Sequence, residues 1–277
     1  MDTTHHISKA TLKFLKTLTQ KKHRHDERLF VVEGWRSIEE ACASRLRIPV
    51  FIYTSHAKEQ LHFAAVFAAA AARAEAAYEV TERELSSITE TVTAQGAAVI
   101  VEQFSTTLHG VLSSMTGQTA GLIVALDRIS EPGNVGTIIR SADWFGADAV
   151  LLSEGSVELY NPKVVRSTMG SLFHLPVIAL PDGTGPAPGV RTFAEALTVC
   201  RAAGYTLYGA DVNAASDIRT IHFAQKSLIV FGNEAHGLAP EAAALLDERV
   251  LIPKFGQAES LNAAAAAAVV LSTLRLR

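Results

Sequence analysis

Two hydrophobic periods alternate along this chain. Near the start, Phe14, Leu15 and Leu18 share one helical face while Lys9, Lys13 and Lys16 share another, which predicts a helix over 8–22 with Ser8 as its N-cap. Short apolar runs at 29–32, 48–53, 77–80 and 97–101 predict strands. Residues 35–44 and the alanine-rich stretch 58–75 predict helices, and another opens at Thr81 with Glu84 placed for a capping box. This is the pattern of a small α/β domain over 1–104. Residues 105–118 are rich in Ser, Thr and Gly and are expected to be a linker. Over 119–277 the alternation is stronger, with strands at 121–126, 149–153, 175–180, 206–210, 227–232 and 249–252. Helices are predicted at 134–145, 162–170, 192–203 and 260–274, and 181–189 reads as a loop dense in Pro and Gly. Strands that alternate with helices predict a parallel sheet covered on both faces.

Composition narrows the class. The chain has 277 residues, 48% of them hydrophobic and 19% charged, enough to bury a good core. Its longest apolar runs, 63–72 and 263–271, are too short to span a bilayer, so no membrane partner is expected. Residues 1–6 lack the charged-then-apolar order of a secretory signal, and a cytoplasmic protein is the simplest reading. Cys42 and Cys200 form no Cys-x-x-Cys pair, so neither a metal site nor a disulfide framework is expected. The net charge of −3 argues mildly against a nucleic-acid partner, but a basic footprint can be local. Residues 9–28 hold Lys9, Lys13, Lys16, Lys21, Lys22, Arg24 and Arg28 against Asp26 and Glu27. For the lysines alone, a solvated helix face explains them as well as an RNA surface does.

The chemistry sits in three motifs of fixed order. Asn134-Val-Gly-Thr-Ile-Ile-Arg140 comes first, Phe231-Gly-Asn-Glu-Ala-His-Gly-Leu238 second, and Ile252-Pro253 with Glu259-Ser-Leu-Asn262 third. In the first, a Pro132-Gly133 turn follows a strand and Asn134 can cap the next helix. Arg140 then lies among Val135, Ile138, Ile139 and Ala142, where an arginine is usually paired or functional; Asp143 is an available partner. Asn161 before Pro162 reads as a further N-cap, with Lys163 and Arg166 on one helix face. A capped surface helix and a site segment account for that stretch equally. Gly232 ends an apolar strand, where a glycine lets a ligand approach the backbone. No Gly-x-x-x-x-Gly-Lys-Ser/Thr loop and no Gly-x-Gly-x-x-Gly follows a strand, which weighs against an unrelated nucleotide-binding enzyme.

Together the three motifs, over residues 120–277, resemble the SpoU branch of the SPOUT methyltransferases. The resemblance implies S-adenosylmethionine-dependent methylation of a ribose 2′-hydroxyl in RNA, ribosomal RNA first and transfer RNA second. The rival is a catalytically silent RNA-binding or assembly protein on the same scaffold. The fold implied is an α/β SPOUT domain with a C-terminal trefoil knot, preceded by a small RNA-binding α/β domain. By the same resemblance, Asn134, Arg140, Glu234, Ser260 and Asn262 are catalytic. Phe231, Gly232, Leu251, Ile252, Pro253, Ser260, Leu261 and Asn262 would hold the cofactor. Lys9, Lys13, Lys16, Lys21, Lys22, Arg24, Lys163 and Arg166 would contact RNA. A homodimer through the C-terminal domain is implied too. Two departures stand out: Glu131 where the family more often has Asp, and an alanine run 263–268 after Ser-Leu-Asn.

Overall fold

The computed structural model describes residues 5–89, 95–181 and 189–276. Residues 1–4 of the N-terminal reading and 182–188 of the expected Pro/Gly loop therefore lie outside the described residues. The chain forms two compact units: residues 1–105 with 160–173, and residues 106–159 with 174–277.

The first unit opens with β1 (His5–His6), α1 (Lys9–Thr17) and α2 (Lys21–Glu27). There follow β2 (Leu29–Glu33), α3 (Trp35–Ala43), β3 (Val50–Tyr53), α4 (Ser55–Glu59), α5 (Ala64–Arg73), β4 (Ala76–Glu79), α6 (Glu82–Thr89) and β5 (Ala97–Glu102). Its sheet runs β1-β4-β3-β5-β2, with β5 antiparallel to both its neighbours. Leu15, Leu18, Ile52, Leu85, Ile88 and Ile100 are fully buried in one core beside it. Ser8 does cap α1, accepting the Thr11 N–H at 3.0 Å. The single helix expected over 8–22 is instead two, because Gln20 is extended at ψ 131°. Arg24 holds the break together: only 3% exposed, it donates to the carbonyls of Leu18 (2.8 Å) and Thr19 (2.7 Å). Those are the orphan acceptors at the end of α1. Arg24 is thus a buried structural cation, which corrects its assignment to the RNA surface. The helix expected over 58–75 likewise breaks at extended Gln60 into α4 and α5. The Thr81–Glu84 capping box forms, with N–H to oxygen distances of 2.9 and 3.2 Å.

The second unit begins with α7 (Leu108–Ser114), inside the expected linker. Thr107 caps it, and Leu108, Val111 and Met115 are buried in the core. β6 (Gly121–Asp127), α8 (Pro132–Trp144), β7 (Ala149–Leu152), α9 (Pro162–Ser167) and β8 (Val177–Ala179) follow. Then come α10 (Phe193–Ala202), β9 (Thr206–Ala210), β10 (Ser216–Asp217), β11 (Lys226–Gly232), α11 (Pro240–Ala243), β12 (Glu248–Leu251) and α12 (Ala263–Arg275). The sheet is wholly parallel, in the order β10-β12-β9-β11-β6-β7-β8. Its central strands are buried on both faces, which is why they read as unbroken apolar runs. Successive strands are added to opposite sides of the β6–β11 pair, the switch point at which open α/β sheets bind ligands beyond their carboxyl ends. There Asp127 of β6 pairs in register with Gly232 of β11.

α12 packs beside α8 and runs parallel to it. Asn262, before α12, hydrogen-bonds Asn134 in the first turn of α8. At the other end Arg275 donates to the Phe145 carbonyl (2.7 Å) and to that of Gly146, closing the C-terminus of α8. Ala263, Ala264 and Ala267 are buried on this face, so the alanine run is a close-packing surface. Residues 160–173, containing α9, group with the first unit. Asn161 caps α9 through the Lys163 N–H (2.9 Å), Tyr160 packs on Phe30 at 4.7 Å between ring centroids, and Arg166 pairs with Glu33 at the end of β2.

Candidate active site

The site is built where β6 and β11 end. Asp127 is 2% exposed, and its carboxylate accepts the Ala239 N–H (2.5 Å) and the Arg128 Nε–H (3.1 Å), tying the end of β6 to the loop beyond β11. That loop is braced from within. Asn233 donates its Nδ2 to the Arg128 carbonyl (2.8 Å) and accepts the N–H groups of Ala235 (3.0 Å) and His236 (3.1 Å) at Oδ1. A reciprocal backbone pair joins Asn233 and Gly237 at 3.0 and 2.8 Å. The result is a short rigid loop that presents Glu234 to solvent.

Gly232 has a structural reason beside the one expected. A Cβ there would lie 2.5 Å from the Gly237 carbonyl carbon and 2.6 Å from the Leu238 nitrogen. The close return of its own loop already requires a glycine at this position.

The start of α8 is also rearranged relative to the sequence expectation. Glu131, not Asn134, is the N-cap: its carboxylate accepts the Asn134 backbone N–H at 2.6 Å. Pro132 and Gly133 complete the first turn, so the acidic residue at 131 fills a capping role that Asp fills equally well. Asn134 is thereby released for side-chain chemistry. Its Nδ2 donates to Glu234 Oε1 (2.6 Å), and its Oδ1 accepts from Asn262 Nδ2 (2.9 Å). Asn262 is itself the N-cap of α12, its Oδ1 accepting the N–H groups of Ala264 (2.9 Å) and Ala265 (3.3 Å). Residues from all three motifs thus meet in one chain of hydrogen bonds, at the N-termini of two parallel helices whose dipoles favour negative charge there.

Arg140 lies further along α8, exposed, and among the described residues it has no ion pair. Asp143 is engaged by His174 Nδ1 at 2.8 Å, so the structural role open to Arg140 from sequence is taken elsewhere. Neither Arg140 nor Ser260 hydrogen-bonds to the Asn134–Glu234–Asn262 chain; both are exposed. Phe231 is buried at 2% and can offer a ligand only its backbone. Ile252 and Pro253 are half-buried and Leu261 is 52% exposed, an apolar surface beside polar main chain. Among the described residues, the backbone groups of 254–261 make no hydrogen bonds within the chain. Apolar side chains with uncommitted backbone donors suit an adenosine moiety, and these residues fit S-adenosylmethionine on that ground. Of the proposed RNA residues, Lys9, Lys13, Lys16, Lys21 and Lys22 are exposed in the first unit, and Lys163 and Arg166 lie on α9. Sequence reasoning missed Asp127, whose burial nothing in its Asp-Arg context announces, and the capping role of Glu131, for which Glu131-Pro132 was the available signal.

Residues 121–272 match the SpoU rRNA Methylase family, and residues 9–99 match an MRM3-like substrate binding domain. The chain is 30% identical over 260 residues to the 23S rRNA (guanosine(2553)-2′-O)-methyltransferase RlmP of Bacillus subtilis, covering 94% of each protein. It is 42% identical over 151 residues to the 23S rRNA (uridine(2479)-2′-O)-methyltransferase of Streptomyces viridochromogenes, covering 53% of this chain and 50% of that one. Among solved structures, the AdoMet-bound rRNA methyltransferase of Sinorhizobium meliloti superposes with a TM-score of 0.82 at 30% identity, over 99% of this chain and 98% of that one.

Proposed function

The chain belongs to the SpoU rRNA methylase family, and from that membership and the site geometry we propose that it transfers a methyl group from S-adenosylmethionine to a ribose 2′-hydroxyl of ribosomal RNA. The single observation that carries the reading is the hydrogen-bonded chain Asn262–Asn134–Glu234, which joins the three motifs at one sheet edge. A silent scaffold has no need of it: Glu234 is exposed, and the side chain of Asn134 is spent on no helix cap. Ribosomal RNA is favoured over transfer RNA because relatives over both full and partial length are 23S rRNA enzymes.

The cofactor, when bound, supplies an electrophilic methyl group. Phe231–Gly232, 251–253 and 260–262 would hold it, through backbone groups and an apolar edge. Arg140 stays protonated, so its part is electrostatic: it stabilises the alkoxide character that develops on the ribose oxygen or orients an adjacent phosphate. Lys9, Lys13, Lys16, Lys21 and Lys22 supply phosphate affinity from the first unit, while Arg166 is already paired to Glu33. The small domain over 1–104 binds RNA, the chemistry belongs to the domain over 119–277, and the setting is the cytoplasm. The trefoil knot belongs to the proposal as well; its support is the return of the chain from β12, across residues 252–262, to pack α12 on α8. So does a homodimer, for which Trp144 on α8 (84% exposed), Val269 on α12 (40%) and Leu276 just beyond it (79%) form the candidate apolar contact.

The test is transfer of labelled methyl to RNA from cells lacking this protein. Label is expected in ribosomal RNA and absent from transfer RNA; the reverse, or no transfer, overturns the reading.

A further inference from the structure

We propose that the carboxylate of Glu234 is the proton acceptor for the attacking 2′-hydroxyl, held for that task by Asn134 and Asn262 as positioning residues; this rests on the methyl-transfer reading above. The direction of the hydrogen-bond chain carries the inference. Asn262 Oδ1 is committed to two backbone N–H groups at the start of α12, so its Nδ2 is the end that faces Asn134. An amide nitrogen only donates, which obliges Asn134 to present Oδ1 there and Nδ2 to Glu234. The helix terminus therefore fixes the orientation of two successive amides, and the last donor in line points at a carboxylate oxygen. That donor fixes the orientation of the carboxylate. It occupies Oε1 and leaves Oε2 of an exposed side chain open to substrate. Arg140, always protonated, cannot take a proton.

The step balances with these groups alone. The ribose oxygen bonds to the methyl carbon as the carbon–sulfur bond breaks, and the bonding pair stays on sulfur. The hydroxyl proton passes to Oε2 of Glu234, neutralising the carboxylate as the sulfonium charge is lost. Glu234 then releases the proton to water.

Asn262→Asp separates this role from helix capping. Aspartate caps as well as asparagine but has no N–H to donate to Asn134. Single-turnover methyl transfer, equilibrium binding of S-adenosylmethionine and of ribosomal RNA, and side-chain amide resonances of the ligand-free 15N-labelled protein are measured together. Glu234→Gln is expected to slow single turnover roughly a hundredfold or more, the usual contribution of a general base, with both affinities within about twofold of wild type. Formate is expected to restore much of the rate lost in Glu234→Ala. Asn262→Asp is expected to shift the Asn134 amide resonances and to lower the single-turnover rate while leaving the melting temperature unchanged. Near-wild-type turnover in Glu234→Gln, no rescue of Glu234→Ala by formate, or unmoved Asn134 resonances in Asn262→Asp would each overturn the inference. If the wild-type protein itself transfers no methyl to ribose, the underlying reading fails instead.

Discussion

Arg140 is an exposed cation on α8, with Asp143 three residues on already engaged by His174. Arg140→Ala is expected to reduce methyl transfer by roughly a hundredfold or more while cofactor affinity holds, as for loss of a charge-stabilising donor. Arg140→Lys is expected to rescue poorly if the forked geometry is used. Steady-state kinetics with a parallel cofactor titration decides this, and normal turnover in Arg140→Ala removes the residue from the site. Arg24 illustrates the opposite case. Its sequence neighbours are basic, yet it is buried against the carbonyls that end α1. Arg24→Ala is expected to cost about 2 kcal/mol of stability, by denaturant unfolding, with no change in the salt dependence of RNA binding. Gly232 was legible as special but not why. Because a Cβ meets the returning Gly237–Leu238 backbone, Gly232→Ala is expected to lower the melting temperature as well as activity, whereas a purely ligand-facing glycine would lose activity alone.

α8 and α12 form the frame of the site, parallel and closely packed through Ala263, Ala264 and Ala267. Ala267 is fully buried, so Ala267→Leu is expected to overpack this helix pair and cost about 1–3 kcal/mol, read as a lowered denaturation midpoint. An unchanged midpoint would mean the helices are less tightly joined than this. The strands of the parallel sheet were the most readable elements, because burial on both faces leaves unbroken apolar runs such as Leu122–Leu126. The breaks were the least readable. Gln20 and Gln60 carry no Gly or Pro signal; the break at Gln20 is held by Arg24, buried against the carbonyls that end α1, and Gln60 is the extended C-cap of α4. α7 was hidden under Ser, Thr and Gly, although Leu108, Val111, Leu112 and Met115 hold the helical spacing that the core uses. At the site, the motif residues were legible one by one. Their connection was not, since it depends on Glu131 taking the cap and freeing Asn134, a choice made by three-dimensional fit.

The molecule as a whole separates charge by function: a net charge of −3 conceals the exposed lysines of the first unit. Reversing Lys13, Lys16 and Lys22 to Glu is expected to weaken RNA binding and to flatten its salt dependence by about 0.7–0.9 log units for each phosphate no longer neutralised, with cofactor affinity unchanged. An unaltered affinity and slope would place the RNA surface elsewhere. If the exposed stripe of Trp144, Val269 and Leu276 is a homodimer contact, Val269→Asp is expected to give a monomer by light scattering. The central claim is that the methyl group goes to a ribose oxygen. It is tested most directly by alkaline hydrolysis of ribosomal RNA labelled by the purified protein, because a 2′-O-methyl group removes the hydroxyl that alkali needs to cleave the next phosphodiester. The account predicts label confined to alkali-resistant dinucleotides; label released in mononucleotides would mean a base is methylated and would contradict it.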